Sequence, residues 1–154
     1  MTPRQIPWMK NAQAAQYGVL IGIVVILALL LKPWINDDVA WCRRVFTGLA
    51  QGSQYIQDSI AWERFKALDA DIGAQYRELP NTNERSGYRE AFVNRFARGF
   101  RESKAQISDF MNWRIVKRSP DGIIVAADYP AKQSTLLFDI SKAGGRRLET
   151  MRWQ

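Results

Sequence analysis

The chain has 154 residues, of which 22 are Lys or Arg and 15 are Asp or Glu, so its formal net charge is +7 at pH 7. This length leaves room for about one domain. With no His and one Cys, the sequence excludes a Cys/His zinc site, a catalytic triad that contains His and a disulfide within the chain.

Residues 11–31 carry no charge, and this stretch predicts a transmembrane helix over residues 11–35 after a tail of residues 1–10. A spanning helix needs about 20 mostly apolar residues, and the stretch is long enough. Its flanks carry aromatic and basic residues, which favour the interface between membrane and water. The predicted interface residues are Trp8, Tyr17, Lys32 and Trp34.

A cleaved signal peptide and a buried helix of a soluble domain are the alternatives for this stretch. The basic tail suits a signal peptide, but no small residues follow at the spacing of a cleavage site. The uncleaved span is the preferred interpretation. It predicts a membrane protein, in the inner membrane if bacterial, and the short tail favours a periplasmic location for the domain that follows.

Small residues recur every four positions in the predicted span and would share one face of a helix: Ala14, Gly18 and Gly22. Such a face lets two transmembrane helices approach closely. The pattern predicts packing against another transmembrane subunit, or against a lipid or pigment tail. Chance is the alternative, because Gly and Ala are common in membrane spans.

Residues 36–154 predict an α+β domain in which helices over 37–106 pack on a four-stranded antiparallel meander over 107–154. Apolar residues at helical spacing predict one helix that begins near Asp37 and a second over residues 54–76. The strands are predicted from alternating apolar residues separated by Gly and Pro turns. Their ranges are Ile107–Lys117, Ile123–Tyr129, Ser134–Ile140 and Arg147–Trp153.

A third helix is predicted over residues 84–103, with two different faces. Aromatic residues at every fourth position predict a face that packs on the core: Tyr88, Phe92, Phe96 and Phe100. Arginines cover much of the rest, and they indicate either a solvated surface or contact with a protein partner, which Arg favours. These partner-contact candidates are Arg89, Arg95, Arg98 and Arg101.

Helices followed by a meander that closes on a C-terminal Trp resemble the cone-shaped nuclear transport factor two-like (cystatin-like) superfamily over about residues 39–153. The patterns that carry the resemblance are Phe92…Phe96…Phe100, Asn112-Trp113-Arg114-Ile115 and Met151-Arg152-Trp153. Superfamily members include enzymes, ligand binders and scaffolds, so the fold alone does not assign a function. Members on a single anchor resemble the bitopic assembly subunit of type IV secretion machines. The candidate pocket residues of such a cone are Trp113, Phe138 and Trp153.

No acid is paired with a nucleophile or base at motif spacing, which predicts a protein that is not an enzyme and needs no cofactor or metal. Cys42 is expected to be a free, half-buried thiol, with an intermolecular disulfide or acylation as alternatives.

The sequence thus predicts a non-catalytic, single-span accessory or scaffold subunit of a membrane complex of secretion, energy-transducing or photosynthetic type. A membrane-tethered domain that binds a small ligand is the alternative. A tethered nucleic-acid binder is less favoured, because the basic residues are mainly Arg.

Overall fold

The computed structural model describes residues 37–154, whose first helix, α1, covers Asp37–Gln51. This helix ends in a Schellman motif, since the Ser53 N–H donates to the Gly48 carbonyl (2.9 Å) and the Gly52 N–H donates to the Leu49 carbonyl (3.1 Å). Gly52 has a φ of +76°, a conformation that Gly adopts at little cost. The motif turns the chain sharply out of α1 into a 3₁₀ helix, Gln54–Ser59.

Two further helices are capped by polar side chains. In α2 (Ile72–Glu78) the Asp71 carboxylate accepts from the Ala74 N–H (2.9 Å), and in α3 (Thr82–Glu102) the Asn81 side chain accepts from the Glu84 N–H (2.9 Å). Such caps satisfy backbone donors that the first turn of a helix leaves unpaired. The predicted aromatic face of α3 is half-buried against the core, as expected.

Six strands form one mixed sheet in the order β2-β1-β6-β5-β4-β3. The pairs are antiparallel except for β1, which runs parallel to β6. A 3₁₀ helix, Ile107–Asp109, precedes β3, and another, Pro130–Lys132, joins β4 to β5. The strands are β1 (Lys66–Ala67), β2 (Ala70–Asp71), β3 (Met111–Arg118), β4 (Gly122–Tyr129), β5 (Ser134–Ser141) and β6 (Arg147–Trp153).

The prediction of a four-stranded antiparallel meander is therefore wrong, because β1 and β2 add a parallel pairing at the β6 edge. The continuous helix predicted over residues 54–76 is also wrong. A two-residue turn joins β1 to β2, and both of its residues, Leu68 (φ 48°) and Asp69 (φ 72°), have positive φ. That pattern belongs to a type I′ hairpin turn and interrupts any helix.

The core lies between the sheet and the helices. Phe46 of α1 packs edge-on against Phe138 of β5 with a ring-centroid distance of 5.5 Å. Phe65 packs in the same way against Phe92 of α3, also at 5.5 Å. Phe46, Phe65 and Phe138 are almost completely buried, so α1, α3 and the sheet share a single aromatic core.

No helix among residues 37–154 is both long and apolar enough to cross a membrane. The helix predicted over residues 11–35 lies outside the described residues, as do Ala14, Gly18 and Gly22. The same holds for the predicted interface residues Trp8, Tyr17, Lys32 and Trp34. Because no membrane-spanning helix is found among residues 37–154, we correct three predictions: a bitopic membrane protein, a membrane location and a periplasmic domain. What the structure supports is an α+β domain over residues 37–154.

Candidate functional site

An apolar pocket of about 320 Å³ opens between α1, α3 and the ends of β4, β5 and β6. Its wall is largely aromatic, and its polar members stand at the rim. Pockets that bind small molecules in proteins have volumes of roughly 300–1,000 Å³ and similar apolar walls. The lining residues are Phe46, Leu68, Arg95, Phe96, Gly99, Phe100, Ser103, Ala105, Phe110, Tyr129, Lys132, Leu136, Met151 and Trp153.

Stacked rings form one side of this apolar pocket. Phe110 lies parallel to Tyr129 with a ring-centroid distance of 4.8 Å and an interplanar angle of 11°. Trp153 lies against both rings, with its centroid 6.4 Å from that of Phe110 and 5.9 Å from that of Tyr129, and it is still 39% exposed. Offset stacks of this kind are favourable and stiff, so this wall of the pocket is preformed.

The long helix α3 forms the opposite side. Phe96, Gly99, Phe100 and Ser103 face the pocket because positions three and four apart lie on the same side of a helix. A Cβ atom added at Gly99 would meet nothing within 4 Å. The missing side chain at this position therefore leaves free space at the pocket.

Two basic residues, Arg95 of α3 and Lys132 of the 3₁₀ helix between β4 and β5, stand at the rim. Both side chains are solvent-exposed. Among residues 37–154 neither has a carboxylate within ion-pair distance, and no Asp or Glu lines the apolar pocket. The rim is therefore positively charged without local compensation.

A second, polar pocket of about 330 Å³ lies beside the 3₁₀ helix Gln54–Ser59. It has mixed charge, because Asp58 and Glu63 line it together with Arg64, Arg89 and Arg147. The Arg89 Nε is buried there without a hydrogen-bond partner in the described structure. Arg64 is already paired with Glu149 at 2.8 Å.

The fold brings two of the three candidate pocket residues together and places the third elsewhere. Phe138 is fully buried and stacks on Trp113 with a ring-centroid distance of 5.3 Å, so these two side chains pack together at the core. Trp113 also donates from its Nε1 to the Phe110 carbonyl (2.8 Å). Of the three, Trp153 lines the apolar pocket.

The four candidate arginines have three different surroundings. Arg89 lines the polar pocket and Arg95 stands at the rim of the apolar pocket. Arg98 and Arg101 are exposed on α3 and have no ion pair among residues 37–154. The predicted arginine surface is thus divided.

Cys42 is 1% exposed in the core, and burial raises the pKa of its thiol. A buried thiol with a raised pKa is a poor nucleophile, and the half-buried thiol of the prediction is in fact fully buried. Within the described part of the chain, no group of three or more His, Cys, Asp or Glu side chains could hold a metal ion.

Sequence reasoning missed several pocket residues, among them Phe110, Tyr129 and Lys132. Tyr129 is the last residue of a predicted strand, where the alternating pattern stops and gives no direction for a side chain. Phe110 lies inside the strand predicted over Ile107–Lys117, but the structure has a 3₁₀ helix there and β3 begins only at Met111. Lys132 lies in a turn, where a solvated Lys is ordinary. Nothing in the positions of these residues along the chain indicates that they line the same pocket.

No family model, curated protein or solved structure matches this chain. The resemblance to the nuclear transport factor two-like superfamily therefore stays a prediction.

Proposed function

We propose that residues 37–154 form a non-catalytic binding domain that holds a small, largely apolar ligand in the apolar pocket. The observation that carries this proposal is the open, aromatic-lined cavity of about 320 Å³. Its wall is preformed by the ring cluster of Phe110, Tyr129 and Trp153, so little ordering free energy is lost when a ligand enters.

Chemistry is not part of the proposal, because the pocket lacks an acid beside its hydroxyl groups. Its lining has no carboxylate, and its hydroxyls belong to Ser103 and Tyr129. The Ser103 Oγ donates to the Phe100 carbonyl (2.6 Å), which engages it in the helix end. Neither hydroxyl has a carboxylate in the lining that would activate it as a nucleophile.

An accessory or scaffold role in a larger assembly is the second candidate, supported by Arg98 and Arg101. Both are exposed on α3 and unpaired among residues 37–154, and Arg is enriched at protein interfaces. The two roles are compatible, since these arginines do not line the apolar pocket.

The substitution Gly99→Leu tests the binding proposal in the full chain. The new side chain has free space at its Cβ and would occupy the pocket. Leu also favours the helix by several tenths of a kcal/mol relative to Gly, so the fold is retained. We expect the affinity for the neutral fluorescent probe 1-aminoanthracene to fall at least about tenfold, measured by fluorescence titration.

Gly87→Leu is the matched control. Gly87 lies on the same helix, has nothing within 4 Å of an added Cβ and does not line the pocket. It should bind the probe as the unmodified chain does. Absence of saturable binding to the unmodified chain, or equal binding by Gly99→Leu, would show that the proposed function is wrong.

A further inference from the structure

We infer that the ligand of the apolar pocket is an amphiphile with an anionic head, of the class of a carboxylate on an apolar chain. This inference rests on the proposed function of the pocket and adds the charge and polarity of its ligand.

The charged residues that line the apolar pocket are all basic, and all of them lie at its rim. Arg95 and Lys132 are its charged lining residues, and both belong to the exposed rim. The buried part of the lining is apolar and consists of Phe46, Phe110, Leu136 and Met151. A ligand that fits this arrangement has an apolar body for the interior and a negative group that stays at the rim, where it need not lose all of its hydration.

The polar pocket provides a comparison within the same domain. There, arginines are accompanied by Asp58 and Glu63 in the lining, and Arg64 is paired with Glu149. Elsewhere, the Asp38 carboxylate lies within 4 Å of three basic side chains. The rim of the apolar pocket differs, because it has two bases and no acid, so an anion supplied by a ligand would meet no like charge in the lining.

The two bases also come from different elements. Arg95 projects from α3, whereas Lys132 lies in the turn between β4 and β5. An anion at the rim would therefore be attracted by bases of two separate elements. Arg can bind a carboxylate with two parallel hydrogen bonds, and Lys adds a compact positive charge.

A series of ligands with the same tail and different heads tests the inference: octanoate, 1-octanol and octylammonium. Each is titrated below its micelle concentration into the full chain at low salt, with displacement of 1-aminoanthracene as the readout. We expect octanoate to bind about fivefold or more tighter than 1-octanol, and octylammonium to bind weakest. The preference should shrink at 1 M salt, where the Debye length is about 3 Å.

The double variant Arg95→Gln/Lys132→Gln should bind octanoate and 1-octanol with nearly equal affinity, while its affinity for 1-octanol stays that of the unmodified chain. The matched control, Arg98→Gln/Arg101→Gln, removes two exposed charges from α3 outside the pocket and should keep the preference. If the control loses the preference equally, net charge is responsible and the inference is overturned.

The remaining outcomes separate this inference from the proposed function. Binding of 1-octanol as tight as or tighter than that of octanoate would overturn the anionic head and leave the apolar binding site intact. If none of the three ligands displaces the probe, and the probe itself does not bind, then both proposals are wrong. Loss of octanoate binding in Gly99→Leu, with Gly87→Leu unchanged, places the ligand in the apolar pocket.

Discussion

Asp128 on β4 connects three strands through its side chain. Its carboxylate accepts from the Arg114 Nη1 (2.9 Å) and the Asn112 Nδ2 (3.2 Å) on β3, and from the Thr135 Oγ1 (3.1 Å) on β5. Asn112 has a φ of 53° at a register shift in β3, a backbone conformation that Asn tolerates better than most residues. Asp128 thus stabilises an irregular part of the edge strand.

The hydrogen bond from Arg114, together with those from Asn112 and Thr135, holds the pKa of the Asp128 carboxyl below its ordinary value. The folded-state pKa is then lower than the unfolded-state pKa. The carboxylate therefore stabilises the fold above the unfolded value of about 3.9, and this contribution is lost as the pH falls through the folded pKa.

We expect the carboxyl of Asp128 to titrate below 3.8, the ordinary value, in an NMR pH titration of the full chain. In Arg114→Gln the pKa should rise towards that value, because the largest cause of the shift is removed. Asp128→Asn should lose less stability on acidification than the unmodified chain. An unshifted titration of Asp128 would contradict this account.

At the scale of the elements, α1 approaches the following 3₁₀ helix through Gly48. A Cβ atom at this position would lie 2.3 Å from the Cγ2 of Ile56, and Ile56 is 1% exposed, so it has little room to move. Gly48 therefore allows close contact between two elements, although Gly in a helix is unfavourable by itself.

Gly48→Ala should lower the free energy of unfolding by about 1–2 kcal/mol, because overpacking outweighs the gain in helix propensity. Urea denaturation measures the change. Gly87→Ala in α3 is the control, since its Cβ would meet nothing within 4 Å, and it should stabilise by up to about 1 kcal/mol. A stabilising effect of both substitutions would refute the close contact.

At the scale of the whole molecule, Asp38 links the start of α1 to two turns of the sheet. Its carboxylate lies 3.2 Å from Arg118 at the end of β3, and 3.8 Å and 3.4 Å from Lys142 and Arg146 between β5 and β6. These partners lie 80 and more positions away along the chain.

Asp38→Asn should destabilise the fold by about 1 kcal/mol, a modest value because the basic partners are partly exposed to solvent. The loss should shrink at high salt. Urea denaturation of the full chain at low and high salt measures both effects. Glu90→Gln, an exposed acid of α3 with no ion pair among residues 37–154, is the control and should change stability little.

What could be predicted from the sequence was local. Strands β3 to β6 have alternating apolar residues and turn residues between them, and the aromatic face of α3 repeats at helical spacing. Strands β1 and β2 have two residues each, too few for any period to be visible. β2 pairs with β1, and β1 pairs with β6, about 80 residues further along the chain.

The sequence by itself determined an α+β domain without His or paired Cys, a basic net charge and an aromatic core. The tertiary structure decided that Trp113 and Phe138 stack in the interior while Trp153 stays open. It also brought Phe110, Tyr129, Arg95 and Lys132 to one pocket. The physical reason is that the spacing of apolar residues specifies only which face of a helix or strand is buried. A cavity forms where the ends of several distant elements meet and their side chains leave space.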